Sequence, residues 1–554
     1  MHSKYSIPAL LCILPIVIFY WVVGTMAVNV PFQDDFDGLL EPVLHLHRYK
    51  TTLSEWWQVL VTQDDERRII VDRLAAYLTY LISGEINLKT IILTGAINVL
   101  VLIWVVFQWF RATRSSWLLF AAVPWLLFNI QYYQSILWAM IPLQHLAVFV
   151  WALLTMWLLS QNTPKSFLGG LFTAALTIGA DVSGNMIIGA GIVVLAAQFR
   201  WKELAIWTVF VGILVACYLS GLVIPEYRPK FSDNFANPLQ LLSILTALYG
   251  LWLDPGPGFP FSLREAVAII TGIGTLGYLI FLLYKAVNKM AADRLPMERE
   301  DAFLWGSLAF VGVVLVVLAT GRAAVGIEAV FTSRYRHMYI ILLLLLYMLS
   351  IRNYPNWFVS RKVQAAVVGL SVLFGLNATY GYWGEMDRFR KTLLADGYQW
   401  YHNRSLPSSP IYLSLRERVD EIYEGVYEEG IYTPADYPFS RLPEAPVEGN
   451  AEINLVSYEG NVDVEVPDFV RKGGKDDGAY VIFRSPEGET HILPAYHSVR
   501  PVYRWLQQGA YYYPGARIDR YGTAYFRSSL YDVEIGVIEG DRQYRLITGK
   551  QLRL

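Results

Sequence analysis

The sequence predicts a polytopic α-helical membrane protein that ends in a smaller β-rich domain. Three observations predict it. Only 17% of the 554 residues are charged and 55% are hydrophobic, whereas a soluble globular chain carries about 25% charge. Apolar runs of spanning length recur through residues 1–380. From residue 381 the chain turns polar, and beyond Ala451 apolar and polar residues alternate as in strands. The net charge of -2 argues against a dedicated nucleic-acid binder. The two cysteines, Cys12 and Cys217, lie inside apolar runs, so neither a disulfide framework nor a thiolate metal site is expected.

Eleven spans are expected: Ile7–Val28, Lys89–Phe110, Trp117–Ile130, Ile136–Leu159, Phe167–Ala180, Met186–Phe199, Leu204–Ile224, Ala266–Ala286, Phe303–Thr320, Met338–Ile351 and Val363–Tyr380. The first is long and lacks a small-x-small cleavage pattern, so it is expected as a retained span rather than a signal peptide. Leu239–Leu253 precedes "DPGPGFP" and is short, which suits a re-entrant or interfacial segment. Basic residues mark the cytoplasmic side. With the N-terminus inside, Lys4, Arg111, Arg114, Lys165, Arg200, Lys202, Lys285, Lys289, Arg352, Arg361 and Lys362 all fall in inside segments. The C-terminal portion is then expected outside. The glycines of "GAGIVV" and "GIGTLG" sit within apolar runs and are expected to let helices approach closely. Nothing resembles a cytosolic nucleotide-binding loop.

The first outside loop, residues 29–88, opens with "NVPFQDDFDGLL". Asp34, Asp35 and Asp37 therefore stand where the first span leaves the bilayer. The loop continues as two amphipathic helices. "LSEWWQVLV" carries Trp56 and Trp57, which favour the membrane interface. "DDERRIIVDRLAAYLTYLI" places Ile69, Ile70, Leu74, Tyr77 and Leu78 at helical spacing. Glu66 and Arg68 at its start are expected within reach of Asp34 and Asp35, although ordinary surface ion pairing explains a Glu-Arg-Arg group equally well.

Polar residues at span ends are costly and point to function. Asp181 and Asn185 occupy one outside turn, Gln131 and Gln134 another, and Gln144 and His145 lie deeper in the fourth run. The segment "TGRAAVGIEAVFTSRYRHM" breaks the charge rule by placing Arg322, Arg334, Arg336 and His337 outside, next to Tyr335. Guanidinium groups at a membrane surface suit a phosphate, to which arginine offers two-point hydrogen bonding. The alternative is pairing with the opening aspartates or with lipid headgroups. The expected picture is one outward cavity with carboxylates at one wall and arginines at another.

An acidic pair just after the first span, "PFQDDFD", resembles the hallmark of the C-type (GT-C) membrane glycosyltransferases. An amphipathic first loop, ten or more spans and a C-terminal extracytoplasmic domain are also similar to that superfamily. "DERRIIVDRL", "GR…G…A…SRY" and "NIQYYQSILWAMIPLQH" look like patterns in an uncharacterised bacterial branch of it. The resemblance covers roughly residues 1–380. It implies a sugar donor linked to a polyprenyl phosphate, and a glycan, lipid or protein acceptor. It implies one of Asp34 and Asp35 as general base, with Asp35 expected first and Asp34 close behind, and a donor phosphate met by the region of Arg322, Arg334 and Tyr335. A lipid phosphate leaves as a stable anion, so one base suffices and inversion is expected, unlike the paired carboxylates of glycoside hydrolases. No cofactor is required by the sequence. A divalent cation such as Mg or Mn is left open, because no complete oxygen cage is visible.

Residues 381–450 are expected as a helical segment, "SLRERVDEIYEGVYEEG", and a Pro-rich linker. Residues 451–554 are expected as a small β domain from "INLVSY", "AYVIFRS", "TAYFRS" and "VEIGVI", broken at "PEGE" and "EGDR". The tyrosines and arginines of "GAYYYPGARIDRYG" suit either acceptor stacking or a structural cap. Two rival functions are a polysaccharide polymerase or O-antigen ligase using a diphosphate-linked donor, and a flippase or transporter. The early aspartate-bearing loop disfavours the first. The lack of an internal repeat disfavours the second.

Overall fold

The computed structural model describes residues 3–49, 52–226, 231–406 and 412–554. Every apolar run named above contains helix. Among the described residues, seven helices are long and apolar enough to cross a membrane: Ala9–Met26, Leu88–Ala112, Trp201–Leu219, Phe261–Asp293, Arg299–Arg322, Ser333–Asn353 and Arg361–Asn403. Shorter apolar helices occupy Trp117–Leu127, His145–Ser160, Val182–Ala197 and Pro238–Leu253. The chain is thus a membrane protein with a C-terminal β region. The fourth run differs from its expected form. Its first half holds the short helix Gln134–Leu137 followed by turns, and a second helix begins at His145, so Gln144 and His145 stand at a helix start.

Contacts divide the chain into two units. The first comprises Met1–Thr25, His45–Leu78 and Thr90–Tyr382. Many large side chains exposed on its helices are apolar, including Leu10, Val17, Trp21, Ile270, Ile273 and Ile280, as a hydrocarbon solvent requires. Glycines set its closest helix approaches. A Cβ on Gly272 would lie 1.7 Å from the Thr246 carbonyl oxygen, and one on Gly250 would lie 1.9 Å from that of Ala268. Gly191 makes room for the Trp207 ring, whose Nε1 donates to the Ile188 carbonyl at 3.0 Å. Both glycine motifs therefore serve packing, as their place in apolar runs suggests.

The second unit comprises Met26–Leu44, Thr79–Lys89 and Trp383–Leu554. Its strands are β1 (Val447–Asn450), β2 (Asn454–Tyr458), β3 (Asn461–Val466), β4 (Gly478–Arg484), β5 (Thr490–Pro494), β6 (Ala516–Gly522), β7 (Leu530–Glu539) and β8 (Arg542–Arg553). A five-stranded sheet has the order β1-β8-β7-β4-β5, antiparallel except where β1 runs parallel to β8. A three-stranded antiparallel sheet has the order β2-β3-β6. In β3, Val462, Val464 and Val466 alternate inward and join Val481, Phe483, Val533, Ile535 and Val537 in one apolar core. "TAYFRS" forms a 3-10 turn at Thr523–Tyr525 rather than a strand.

The segment expected as a linker is built into this unit. Tyr432, Phe439 and Leu442 are fully buried, and the Tyr432 hydroxyl donates to the Asn29 carbonyl at 2.6 Å. Asn29 is a hub: its Nδ2 donates to the Thr433 carbonyl at 2.8 Å, and its Oδ1 accepts from the Leu88 amide at 2.8 Å. Ile86 forms a parallel bridge with Tyr432. The helix of the last run does not stop at Tyr380 but continues to Asn403, burying Met386, Leu393, Leu394 and Trp400. The tyrosines after Gly509 are half-buried beneath arginines, with Arg471 at 4.6 Å from the Tyr512 ring and Arg500 at 5.1 Å from Tyr513. That arrangement suits the structural cap.

Candidate functional site

Two polar regions of the first unit hold most of the expected residues. The cationic one is built by interlocking two turns. Ser333 Oγ donates to the Gln131 carbonyl at 2.8 Å, and the Arg334 amide donates to Gln134 Oε1 at 3.2 Å. Ser135 Oγ donates to the Arg334 carbonyl at 2.9 Å and lies 2.9 Å from His337 Nδ1. "QYYQS" and "SRYRH" thus fix each other. Held this way, the Arg334 guanidinium lies 5.0 Å from the Tyr335 ring, and that of Arg322 lies 5.9 Å from the same ring. Tyr335 also stacks on His145, with centroids 6.4 Å apart and planes 13° apart. Neither Arg322 nor Arg334 has a carboxylate at ion-pair distance among the described residues, and both are partly exposed. Two unneutralised guanidiniums so close to one ring form an anion-binding surface.

Arg336 differs from its neighbours. It is fully buried and ion-paired to Asp254, which also accepts from Arg264 at 2.8 and 2.9 Å and from the Tyr382 hydroxyl at 3.3 Å. Burial alone would raise the Asp254 carboxyl, but the hydrogen bonds and charges of Arg264 and Arg336 outweigh it and hold the group at about 2. His337 is buried against Ser135 and Phe149. These two residues fix the turn that carries Arg334.

The acidic region comes from the first loop and the turn after Ala180. Asp64 and Arg67 close a tight turn through both backbone bonds and a 3.2 Å ion pair. The helix Ile70–Ser83 follows. Its burial inverts the apolar pattern: Asp72, Arg73 and Ala76 face inward, while Leu78, Leu81 and Ile82 are exposed. An interfacial helix needs this arrangement, with its apolar face left for lipid. Arg73 donates to the Val59 carbonyl at 3.1 Å. Arg68 donates to the carbonyls of Cys217, Tyr218 and Ser220 at 3.0, 2.6 and 2.6 Å. It therefore caps the C-terminus of Trp201–Leu219.

Asp72 was not singled out from the sequence. It is completely buried, and neither carboxylate oxygen has a hydrogen-bond donor among the described residues. Burial pushes its carboxyl well above the usual range. Arg67 opposes this, and the charges of Asp181 and Asp64 add to it. Asp181 starts the 3-10 turn Val182–Met186, where its Oδ2 accepts from the Ser183 amide at 3.0 Å and hydroxyl at 2.6 Å. Its Oδ1 accepts from Gln144 at 3.2 Å. Asn185 closes the same turn by donating to the Val182 carbonyl at 2.9 Å. Glu66 is half-buried beside Arg67 in the chain. Gln144, next in sequence to His145, thus connects the acidic region to the ring stack that carries the two arginines. Only the charge pattern and "DERRIIVDRL" hinted at Asp72, because an aspartate at an inward helix position looks the same in sequence as one on a solvated face.

The opening aspartates belong to the second unit. Asp35 is fully buried, and its Oδ2 accepts from the Phe32 amide at 2.9 Å, closing a tight turn. Asp37 pairs with Arg418 at 2.9 Å, and Arg418 also holds Glu41 at 2.8 Å. Asp34 is half-buried. The three therefore have three different environments. Among the described residues, no three His, Cys, Asp or Glu side chains converge as a metal site. The described residues do not form a cage for a divalent cation. Comparison with family models, with curated proteins and with solved structures finds no match to this chain.

Proposed function

We propose that this chain is an integral membrane glycosyltransferase of the GT-C type, with eleven spans in a bacterial inner membrane and its site on the outer face. It transfers a sugar from a polyprenyl-phosphate donor to a glycan, lipid or protein acceptor. The observation that carries the proposal is the pair Arg322 and Arg334, set around Tyr335 without a carboxylate partner. A phosphate leaving with its negative charge is the group such a pair stabilises best. The resemblance supplies the base, Asp34 or Asp35. The proposal puts the proton transfer at Asp35, whose Oδ2 accepts from the Phe32 amide, with Asp34 close behind. Attack by the deprotonated acceptor hydroxyl at the anomeric carbon breaks the bond to the phosphate oxygen and inverts the sugar. The base contributes about 10²–10⁴-fold.

The test is sugar transfer from a panel of radiolabelled polyprenyl-phosphate sugars by the purified full-length protein. Arg334→Ala should bind donor more weakly and transfer more slowly. Wild-type rates in Arg334→Ala and in Arg322→Ala would reject the phosphate assignment.

A further inference from the structure

The second unit contains a cleft of about 920 Å³, at the upper end of the range of roughly 300–1,000 Å³ typical of ligand pockets. Four separate pieces of chain build it: the end of the helix Arg361–Asn403, the turn Leu442–Glu444, the β4–β5 turn, and residues 527–529. Its lining is polar. His402, Asn403, Glu444, Glu487, Glu489 and Arg527 supply most of the chemistry.

The groups are held in place rather than loosely solvated. Glu489 accepts from His491 at 2.9 Å, from the Arg527 amide at 3.3 Å and from the Tyr531 hydroxyl. Those hydrogen bonds outweigh the effect of its partial burial and hold its carboxyl at about 2, so it is ionised at neutral pH. Glu487 accepts from Ser528 Oγ at 2.7 Å, and the Arg527 guanidinium donates to the Asn403 carbonyl at 2.8 Å. Three carboxylates and one guanidinium thus line the cleft. Anionic ligands are repelled, and hydroxyl or ammonium donors are favoured.

A peptide strand is a poor occupant. The edge strand β5 is already capped by amide side chains of the helix: Gln399 donates to the Ile492 carbonyl at 3.0 Å and Asn403 to the Thr490 carbonyl at 2.8 Å. Strand addition is therefore blocked on that face.

We propose that this cleft binds a short amino-bearing oligosaccharide. Its ring hydroxyls and ammonium groups donate to Glu444, Glu487 and Glu489. That this oligosaccharide is the acceptor rests on the proposed transferase activity. That the cleft binds it does not.

The test is binding of a glucosamine trimer to the full-length protein in nanodiscs, by calorimetry, with no donor present. A galacturonic acid trimer and an oligolysine are run beside it. The glucosamine trimer should bind, and the double variant Glu444→Gln/Glu487→Gln should weaken it by about tenfold. These two carboxylates are exposed, so the variant should fold, which a wild-type melting curve verifies. The galacturonic acid trimer should not bind. Failure of the glucosamine trimer to bind, equal binding of the acidic trimer, binding of oligolysine alone, or no effect of the double variant would each overturn the assignment. Sugar transfer without trimer binding would sink this inference alone. Trimer binding without transfer from any donor would leave it standing and count against the transferase.

Discussion

A carboxyl group buried without donors keeps its proton, and Asp72 is such a group. Its folded-state pKa lies above the unfolded value of about 3.9. The folded chain therefore binds more protons than the unfolded one as pH rises past that value, and stability falls by up to about 1.4 kcal/mol per pH unit. Asp72→Asn removes this loss. Thermal unfolding in nanodiscs should show the variant gaining on the wild type between pH 5 and pH 8; an equal difference at both values would contradict a neutral Asp72. Asp254 behaves oppositely. Its depressed carboxyl contributes stability above about pH 4 that fades as the pH falls toward 2. Asp254→Ala should cost about 3–5 kcal/mol, because Arg336 would be left charged and buried. Arg336→Met in the same chain should recover most of that, read by the melting temperature. No recovery would mean that Asp254 acts other than through Arg336. From sequence alone Arg322, Arg334 and Arg336 are indistinguishable, since the partner that separates them, Asp254, lies 82 residues from Arg336 in the chain.

At the scale of elements, apolar length and glycine position carry the most information. Helices form where the hydrocarbon demands internal hydrogen bonding, so each apolar run became helical, and the helix-packing role of Gly272 followed from its place in such a run. Gly272→Ala should lower stability by about 1–3 kcal/mol, since its Cβ would meet the Thr246 carbonyl. Gly274→Ala, where a Cβ would meet nothing within 4 Å, should leave the melting temperature unchanged. Equal effects of the two would reject the close helix contact. Other boundaries were not legible. Gln144 accepts a helix start because His145 stacks on Tyr335, a contact between residues 190 apart in sequence. The inward face of Ile70–Ser83 was hidden for another reason: in a membrane interface the apolar face is the outer one, which reverses the rule used for soluble helices.

For the whole molecule, the alternation after Ala451 and the breaks at "PEGE" and "EGDR" were enough to anticipate a β domain. They could not show that Asn29, Ile86 and Leu88 belong to the same unit as that domain, because those ties end on the backbone groups of Thr433, Leu88 and Tyr432, which carry no sequence signal. Nor could they show the cleft, whose lining is gathered from four pieces of chain. The aspartates of "NVPFQDDFDGLL" stood out by position alone; only their surroundings divide them into a buried turn former, an arginine partner and a half-buried carboxylate. The most direct measurement is sugar transfer from polyprenyl-phosphate donors by the wild type, Asp34→Asn and Asp35→Asn side by side, with donor binding and melting temperature recorded for each. The account predicts transfer by the wild type and a loss of about 10²–10⁴-fold in Asp35→Asn or, failing that, in Asp34→Asn, with donor binding intact. Wild-type rates in Asp34→Asn and Asp35→Asn alike would contradict it.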